Sequence, residues 1–193
     1  MPKEHLIDVQ PIRSSEKLDD MKWSLKRHCS ERDYILFLLG INTGLRVTDL
    51  LSLKIKDIEG KMEVIIKEGQ TKKPRMIQLN TICNELAAYI ATIDGEWLFP
   101  SRKGDKPISK IQAYRQLNKA ADMVDIEGVG THTMRKTFGY WHYKRSKNLA
   151  ELQMILNHSH PVITLKYIGI ADEGTEGSLN DFTLWEDGRN VID

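Results

Sequence analysis

Residues 130–139 read GTHTMRKTFG, and this stretch, continued to Tyr167, decides how the rest of the chain is interpreted. His132 and Arg135 are three residues apart, a spacing that places both side chains on one face of a helix. His158 follows later, and Tyr167 comes nine residues after it. The stretch therefore predicts that two imidazoles, one guanidinium and one phenol are delivered to one place by about three consecutive helices.

A second motif lies upstream, where residues 43–53 read TGLRVTDLLSL. Gly44 is expected to end the preceding helix, because glycine tolerates the left-handed conformation found at helix C-termini. Arg46 follows at once and a new helix is predicted after it, so its guanidinium is held at a tight corner between helices. Asp49, one turn further on, is placed either to orient that guanidinium or to lie favourably at the helix N-terminus.

The periodicity of the remaining sequence predicts an α+β fold that is mainly α-helical, with one small antiparallel sheet. Capping patterns begin helices at Ser30, Ser109 and Asn148, and Pro161 suits the first turn of the last helix. The predicted helices cover about residues 15–29, 30–43, 47–53, 81–93, from 109 onward, 131–145, 148–157 and 161–168. Strands are expected at 54–58, 62–66 and 75–79, and the lysine-rich turn between the last two predicts an exposed basic hairpin.

Charge is unevenly distributed along a chain of ordinary globular composition. The 193 residues are 40% hydrophobic and 28% charged, with a formal net charge of +1. Residues 171–193 contain seven acids and one arginine, so this tail carries −6 and residues 1–170 carry +7. A basic body with an acidic tail is compatible with phosphate contacts made by the body, and equally with a solvated surface of mixed charge.

Nothing in the sequence indicates a secreted, membrane-bound or metal-dependent protein. No apolar run follows the opening residues, and the longest such run, residues 34–41, is too short to span a bilayer. Cys29 and Cys83 have no metal-ligand spacing, and the pair His158 and His160 has no third ligand at a recognisable spacing. The chain is therefore expected to be cytoplasmic, without a cofactor, a metal or a membrane partner.

The side chains singled out above match the needs of phosphodiester chemistry. The transition state concentrates negative charge on non-bridging oxygens, to which Arg46 and Arg135 can each donate paired hydrogen bonds. Tyr167 is the candidate nucleophile, and because a phenol has a pKa of about 10, the site must stabilise the phenolate or remove its proton. His132 and His158 suit proton handling or hydrogen bonds to the phosphate. These residues predict a phosphate-handling site that acts on DNA.

The order and spacing of these segments resemble the catalytic domain of tyrosine recombinases, the phage-integrase family. Residues 43–53 resemble its first arginine box, residues 132–135 (HTMR) its H-x-x-R box, and residues 156–167 (LNHSHPVITLKY) the box that ends in the nucleophile. The resemblance covers roughly residues 30–170. It implies the helical core of that domain, double-stranded DNA as substrate, a covalent 3′-phosphotyrosyl intermediate on Tyr167, and a homo-oligomer, a tetramer, on DNA.

The family also implies a lysine on the β-hairpin that protonates the leaving 5′-oxygen, and here the sequence departs from the family. When the hairpin is matched to the family pattern, Gln70 stands at the position of that lysine. Lys72, two residues on and thus on the same strand face if the strand continues, is the residue chosen for this role. Lys67 and Lys73 are the alternatives. Two lesser departures, where the family usually has glycine and often has proline, are Asn157 and Thr131.

The predicted organisation has three parts. Residues 1–29 form a lead-in and first helix, residues 30–170 the catalytic domain, and residues 171–193 an acidic tail. The apolar residues of this tail suit docking onto a neighbouring copy, and folding back or disorder are equally compatible with them. Family members usually carry an N-terminal helical clamp, for which 29 residues are too few, so a multimer or an accessory DNA-binding protein is expected to supply it.

Two other functions stay open at this point. A non-catalytic DNA-binding relative of the same fold would explain the departure from the family at the hairpin lysine and the missing N-terminal domain. A type IB topoisomerase-like enzyme, which relaxes DNA, would use the same tyrosine chemistry. The joint presence of the two arginines, the two histidines and the tyrosine favours a strand-exchange enzyme.

Overall fold

The computed structural model describes residues 9–102, 104–170, 185–186 and 189–190. Its helices are α1 (Ser15–His28), α2 (Glu31–Thr43), α3 (Val47–Leu51), α4 (Ile55–Ile58), α5 (Cys83–Ile90), α6 (Lys110–Asp122), α7 (Thr133–Ser146), α8 (Leu149–Leu156) and α9 (Pro161–Ile168). Its strands are β1 (Glu63–Lys67), β2 (Pro74–Gln78), β3 (Pro100–Ser101), β4 (Gly104–Pro107), β5 (Trp185–Glu186) and β6 (Arg189–Asn190). The mainly helical fold with a small antiparallel sheet is confirmed.

Helix α2 lies at the centre of the main apolar core, and the local sequence fixes both of its ends. Ser30 begins it with a capping box, because the Ser30 hydroxyl accepts from the Asp33 N–H while the Asp33 carboxylate accepts from the Ser30 N–H. Gly44 ends it in the left-handed conformation, with a φ of 61°. Most residues between these caps are buried, which explains why the apolar run of α2 is continuous rather than periodic.

Helices α2 and α7 cross at close range, and glycines make this possible. A Cβ atom on Gly40 would lie 2.6 Å from Sδ of Met134, and one on Gly44 would overlap the ring of Phe138. The close crossing places the corner that follows α2 directly beside the first turn of α7. Two segments far apart in the sequence, each carrying a predicted arginine, are brought together in this way.

Gly44→Ala is expected to destabilise the fold by about 3 kcal/mol, because the backbone is left-handed and the new methyl group would overlap the Phe138 ring. Gly60→Ala is a matched control, since Gly60 has a φ of 71° but no atom within 4 Å of an added Cβ. It should cost only the backbone strain of about 1 kcal/mol. Urea unfolding measures both values, and equal losses would contradict the packing argument.

The sheet is an antiparallel hairpin of β1 and β2, joined by a turn at residues 68–73. Val64 pairs with Ile77 and both are buried, whereas Ile65 pairs with Met76 and both are exposed. The antiparallel pairing predicted for these two strands is confirmed, and their side chains alternate between the core and the surface. Strands β3 and β4 form a second antiparallel pair, and β5 and β6 a third. The docking role predicted for residues 171–193 falls, apart from β5 and β6, outside the described residues.

One predicted strand is wrong, and one predicted helix is shorter than expected. Residues 55–58 form the short helix α4 rather than a strand, because the Asp57 carboxylate accepts from the Lys54 N–H and caps a helical turn. Lys54 alone makes an isolated β-bridge, to Trp97. The helix predicted for residues 81–93 covers only Cys83–Ile90. Beyond it the Thr92 hydroxyl and N–H both bond to Tyr89 O, which tightens the chain into a turn.

A second, smaller apolar cluster lies beside the main core. Leu152 and Leu156 of α8 and Ile168 of α9 are fully buried in it. Partly buried aromatic side chains of α7, together with Tyr167, pack around them. Gly169 ends α9 in the left-handed conformation, with a φ of 74°. This cluster holds the helix that carries Tyr167 against α7.

An N-terminal strap, defined as residues 9–13, packs against α7. The Ile12 N–H donates to the Thr137 hydroxyl, and the indole N–H of Trp141 donates to Ile12 O, both at 2.9 Å. The Arg13 guanidinium then reaches Gly169 O, at 3.0 Å. The strap therefore connects α7 with the end of α9, the helix of Tyr167.

Candidate active site

The corner after α2 brings two predicted arginines together. Arg46 is the N-cap of α3, and its side chain is 20% exposed. Arg135 projects from the first turn of α7 and is 3% exposed. Its NH1 donates to Gly44 O at 2.6 Å, and its NH2 donates to Leu156 O at 2.8 Å. Arg135 thus ties the end of α2 to the end of α8, immediately before the loop of His158.

The buried guanidinium of Arg135 keeps its positive charge and is placed to interact strongly with an anion. Burial, and after it the positive charge of Arg46, lower the pKa of Arg135 to about 10. The guanidinium remains protonated at neutral pH. Because water is largely excluded around it, a bound anion would interact with it more strongly than with an exposed arginine.

Two site residues, Glu68 and Arg75, were not predicted from the sequence. Glu68 is 3% exposed, and its Oε2 accepts from Arg46 NH1 and from the Thr71 hydroxyl, each at 2.9 Å. Its Oε1 accepts from Arg75 NH1 at 3.3 Å and lies 3.9 Å from Arg135 NH1. Burial acts to raise the pKa of Glu68, but the Thr71 hydrogen bond and the charges of Arg46 and Arg135 outweigh it and lower that pKa.

Arg75 completes what we call the arginine cluster, defined as Arg46, Arg75 and Arg135 around Glu68. Its guanidinium donates to Thr43 O and to Gly44 O, the carbonyls at the end of α2. Cations at a helix C-terminus interact favourably with the helix dipole. The residue lies 31 positions from Gly44, and Glu68 lies 22 positions from Arg46, so no local spacing could have indicated either contact.

Tyr167 lies at the last turn of α9, with its hydroxyl turned into the site. The hydroxyl oxygen is buried and no described residue forms a hydrogen bond with it. Burial raises the pKa of Tyr167, and the nearby charges of Arg135 and Arg46 oppose that rise. The His158 ring packs edge-on against the phenol ring, with 5.0 Å between centroids, and Lys136 Nζ lies 5.5 Å from the phenol centroid. The phenol is thus held between an imidazole and cations.

The two predicted histidines occupy different positions around this centre. His158 lies in the loop before α9, where its Nδ1 is 3.1 Å from the Thr164 hydroxyl, a contact that fixes the ring orientation. His132 is the N-cap of α7. Burial and nearby positive charges lower the pKa of both, the charges being those of Lys110 and Lys136 at His132 and of Arg135 at His158. Both rings are therefore neutral at pH 7 and suited to hydrogen bonding or proton transfer.

The lysines of the hairpin turn do not lie on a continuing strand, as the choice of Lys72 assumed. The argument that Lys72 shares a strand face with Gln70 is wrong, because both lie in the turn and β2 begins only at Pro74. Lys72 is exposed and has a left-handed backbone, with a φ of 58°. Lys73 is also exposed, but it donates from Nζ to the Asn157 side-chain oxygen at 2.9 Å. The hairpin lysine whose amine contacts the loop next to His158 is Lys73.

Asp49 does not orient Arg46, the role for which it was one candidate. Its Oδ1 accepts from the Gly69 N–H at 2.9 Å, so it holds the hairpin turn against α3. The carboxylate that contacts the Arg46 guanidinium is Glu68. Asp49 retains its other predicted position, in the first turn of α3.

Within the described residues, no three or more His, Cys, Asp or Glu side chains are grouped as they would be around a metal ion. His160 is the N-cap of α9, next to Pro161. No helix in the described part of the chain combines the length and apolar character needed to cross a membrane.

A helical fold that brings arginines, histidines and a tyrosine together is typical of one class of protein, the phage integrase family. The model of this family matches residues 16–173, and the chain belongs to it. A probable integrase/recombinase of Bacillus subtilis (strain 168), YoeC, is 47% identical over 176 residues, covering 90% of this chain and 97% of that protein. A probable integrase/recombinase of Acholeplasma phage L2 is 28% identical over 151 residues, covering 75% of this chain and 50% of the phage protein.

The fold is shared with solved structures of low sequence identity. A crystal structure of the XerH site-specific recombinase bound to palindromic difH substrate, a post-cleavage complex, superposes with a TM-score of 0.70 at 21% identity. The superposed region covers 91% of the present chain and 53% of the XerH chain. The chain therefore spans nearly all of the Bacillus relative and about half of the phage and XerH chains.

Proposed function

We propose that this chain is a site-specific DNA recombinase that cleaves and rejoins strands through a covalent 3′-phosphotyrosyl intermediate on Tyr167. The observation that carries the proposal is the position of the Tyr167 hydroxyl, buried near the guanidiniums of Arg135 and Arg46 and beside the ring of His158. These groups come from separate segments of the chain, of which the first, at Arg46, lies 121 residues before Tyr167. Their convergence suits a nucleophile that attacks a bound phosphodiester.

The proposed step is a transesterification with a balanced exchange of bonds. The Tyr167 oxygen attacks the phosphorus and its proton passes to a neutral imidazole, for which His158 is the adjacent candidate. Arg46 and Arg135 donate hydrogen bonds to the non-bridging oxygens and neutralise their charge, and His132 adds a hydrogen bond. The bond from phosphorus to the 5′-oxygen breaks. The reverse attack by a 5′-hydroxyl releases the tyrosine and rejoins a strand, so the bond energy is conserved.

The leaving 5′-oxygen needs a proton, and we assign its donor to Lys73. Lys73 is supported by its hydrogen bond to Asn157, the residue before His158. Lys72 remains the competing assignment from the sequence; it is exposed like Lys73, but among the described residues its amine makes no hydrogen bond comparable to that of Lys73 with Asn157. A lysine ammonium beside a leaving alkoxide supplies the proton that makes the departure possible at neutral pH.

The proposed substrate is double-stranded DNA, in the cytoplasm. Family membership, a +7 charge on residues 1–170 and the palindromic difH substrate bound by the XerH site-specific recombinase support it. We also propose that the chain acts as a homo-tetramer on DNA, with residues 171–193 docking onto a neighbouring copy, and that an accessory DNA-binding protein contributes affinity. Sedimentation with its duplex should give a complex of four copies, and a single copy per duplex would contradict the tetramer.

Cleavage can be tested without knowing the target site. The protein is incubated, in EDTA, with nicked duplexes whose central segment is randomised, so that cleavage releases a short fragment and traps the adduct. DNA that remains attached in SDS is recovered and sequenced. The wild-type chain should form an adduct, Tyr167→Phe should form none, and Tyr114→Phe, at an exposed tyrosine of α6, should behave as wild type. An adduct retained in Tyr167→Phe would overturn the assignment.

The same experiment separates the two competing functions. Gln70 at the usual position of the hairpin lysine favours a DNA-binding relative without activity, which would bind duplexes but yield no adduct. A strand-relaxing enzyme would form the adduct and relax supercoiled DNA with little dependence on sequence. A recombinase should select one sequence family from the randomised pool and exchange strands between two copies of it.

A further inference from the structure

The arginine cluster encloses an acid that the proposed chemistry does not use. Glu68 is 3% exposed, and its two oxygens receive hydrogen bonds from Arg46, Arg75 and Thr71. A phosphodiester bound by these arginines would also be an anion. The buried carboxylate and the phosphate therefore compete for the same guanidiniums and repel each other.

The three arginines differ in how they are held. Arg75 donates to Thr43 O and Gly44 O, and Arg135 donates to Gly44 O and Leu156 O, so backbone carbonyls fix both guanidiniums. For the Arg46 guanidinium, the hydrogen bond found in the described part of the chain is the one to Glu68. The orientation of Arg46 thus depends on Glu68 alone among these contacts.

Glu68 also begins the turn that carries Lys73. Its N–H donates to Lys73 O at 3.0 Å, and its carbonyl accepts from the Lys72 N–H at 2.9 Å. The next residue, Gly69, is bonded to Asp49 of α3, the helix that begins after Arg46. The turn is therefore attached to the Arg46 corner at two adjacent points, Glu68 and Gly69.

We propose that Glu68 is a positioning residue that aligns Arg46 and the Lys73 turn for cleavage while it weakens the binding of DNA phosphate. This inference rests on the proposed function. The carboxylate fixes the geometry of the arginine that contacts the scissile phosphate, and its negative charge offsets part of the attraction between the cluster and DNA. Removing the charge of Glu68 should therefore impair the alignment of Arg46 and raise the affinity for DNA.

Glu68→Gln tests this opposition, because it keeps the shape of the side chain and removes its charge. An amide nitrogen would then face a guanidinium, so Arg46 loses its alignment. Cleavage of the selected nicked duplex should slow on the order of 100-fold. Binding to the intact duplex, measured by fluorescence anisotropy in a Tyr167→Phe background to exclude the adduct, should tighten about threefold to tenfold. A loss of both properties, or no change in affinity, would overturn the proposal.

Glu68→Asp separates charge from geometry. It keeps the negative charge but shortens the side chain by one methylene, so affinity should stay at the wild-type value while cleavage slows. Glu63→Gln is the matched control, since Glu63 is an exposed glutamate on the same hairpin, and it should change neither rate nor affinity. Tighter binding by Glu68→Asp would contradict the role of charge.

Thr71→Val is a second test, and unlike Glu68→Gln it does not place an amide at the buried position 68. It deletes the hydroxyl that bonds to Glu68 Oε2 and leaves every charge in place. Cleavage should slow on the order of tenfold with unchanged affinity, and an unchanged rate would count against positioning. If the wild-type chain forms no adduct, the proposed function fails, whereas the affinity measurements still report the charge effect of Glu68.

Discussion

Substituting lysine for Arg135 is expected to slow strand cleavage on the order of 1,000-fold and to lower the free energy of unfolding by about 2 kcal/mol. Arg135 is 3% exposed and donates through separate nitrogens to Gly44 O and Leu156 O. A single ammonium cannot span these two carbonyls as the planar guanidinium does. Gly44 O would keep the hydrogen bond from Arg75, but an ammonium that stayed beside Gly44 O would leave Leu156 O without its side-chain donor. The paired hydrogen bonds to the phosphate would also be lost.

Two comparisons separate the catalytic loss from the structural one. Arg145→Lys, at an exposed position of the same helix, should alter neither the cleavage rate nor the stability. Arg46→Lys should slow cleavage strongly but affect stability less than Arg135→Lys, because Arg46 is 20% exposed and holds no backbone carbonyl in the described structure. Cleavage is measured by adduct formation and stability by urea unfolding. A wild-type rate in Arg135→Lys would reduce Arg135 to a structural residue.

Lys73→Ala is expected to slow cleavage on the order of 100- to 10,000-fold, whereas Lys72→Ala should leave the rate unchanged. Both lysines are exposed, but the amine of Lys73 donates to Asn157 beside His158, whereas that of Lys72 forms no such bond within the described residues. Without Lys73, the 5′-oxygen would have to leave as an alkoxide. Adduct formation on the selected nicked duplex measures both rates.

Sulfur substitution shows whether the lost function is proton donation. In a duplex with sulfur in place of the bridging 5′-oxygen, the leaving group is a thiolate, which departs without a proton because its conjugate acid is far stronger. This substrate should restore the rate of Lys73→Ala to near that of wild type. Failure of the rescue would show that Lys73 acts by holding Asn157, and a rescued defect in Lys72→Ala would instead support Lys72.

The residues that could be predicted from the sequence are those whose chemistry and local spacing are informative together. His132 and Arg135 share one helical turn, Arg46 follows a glycine that ends a helix, and the step from His158 to Tyr167 spans one short helix. Local rules fix each of these segments, and the close crossing of α2 and α7 then joins two of them. The capping boxes and the pairing of β1 with β2 follow from rules of the same short range.

The residues that could not be predicted are determined by contacts between distant segments. Glu68 and Arg75 are ordinary strand-end residues in the sequence, and only the packing of the hairpin against α2 and α3 makes them part of the site. The assignment of Lys72 assumed an extended strand, but a turn with a left-handed residue reverses which lysine reaches the site. The strand expected at 54–58 was lost to a side-chain cap, since Asp57 offered the backbone a helical alternative.

The two separate apolar clusters imply that Tyr167, the proposed nucleophile, and the arginine cluster have unequal local stability. Helices α8 and α9 have eight residues each and depend on three fully buried side chains, whereas α2 lies within the large core. Local unfolding of the smaller unit therefore requires less free energy than global unfolding, and its amides should exchange with solvent first. We therefore expect Tyr167 to leave the site transiently while the arginine cluster stays folded. The rate of attack would then depend on the fraction of molecules in which Tyr167 is in the site, as well as on interatomic distances.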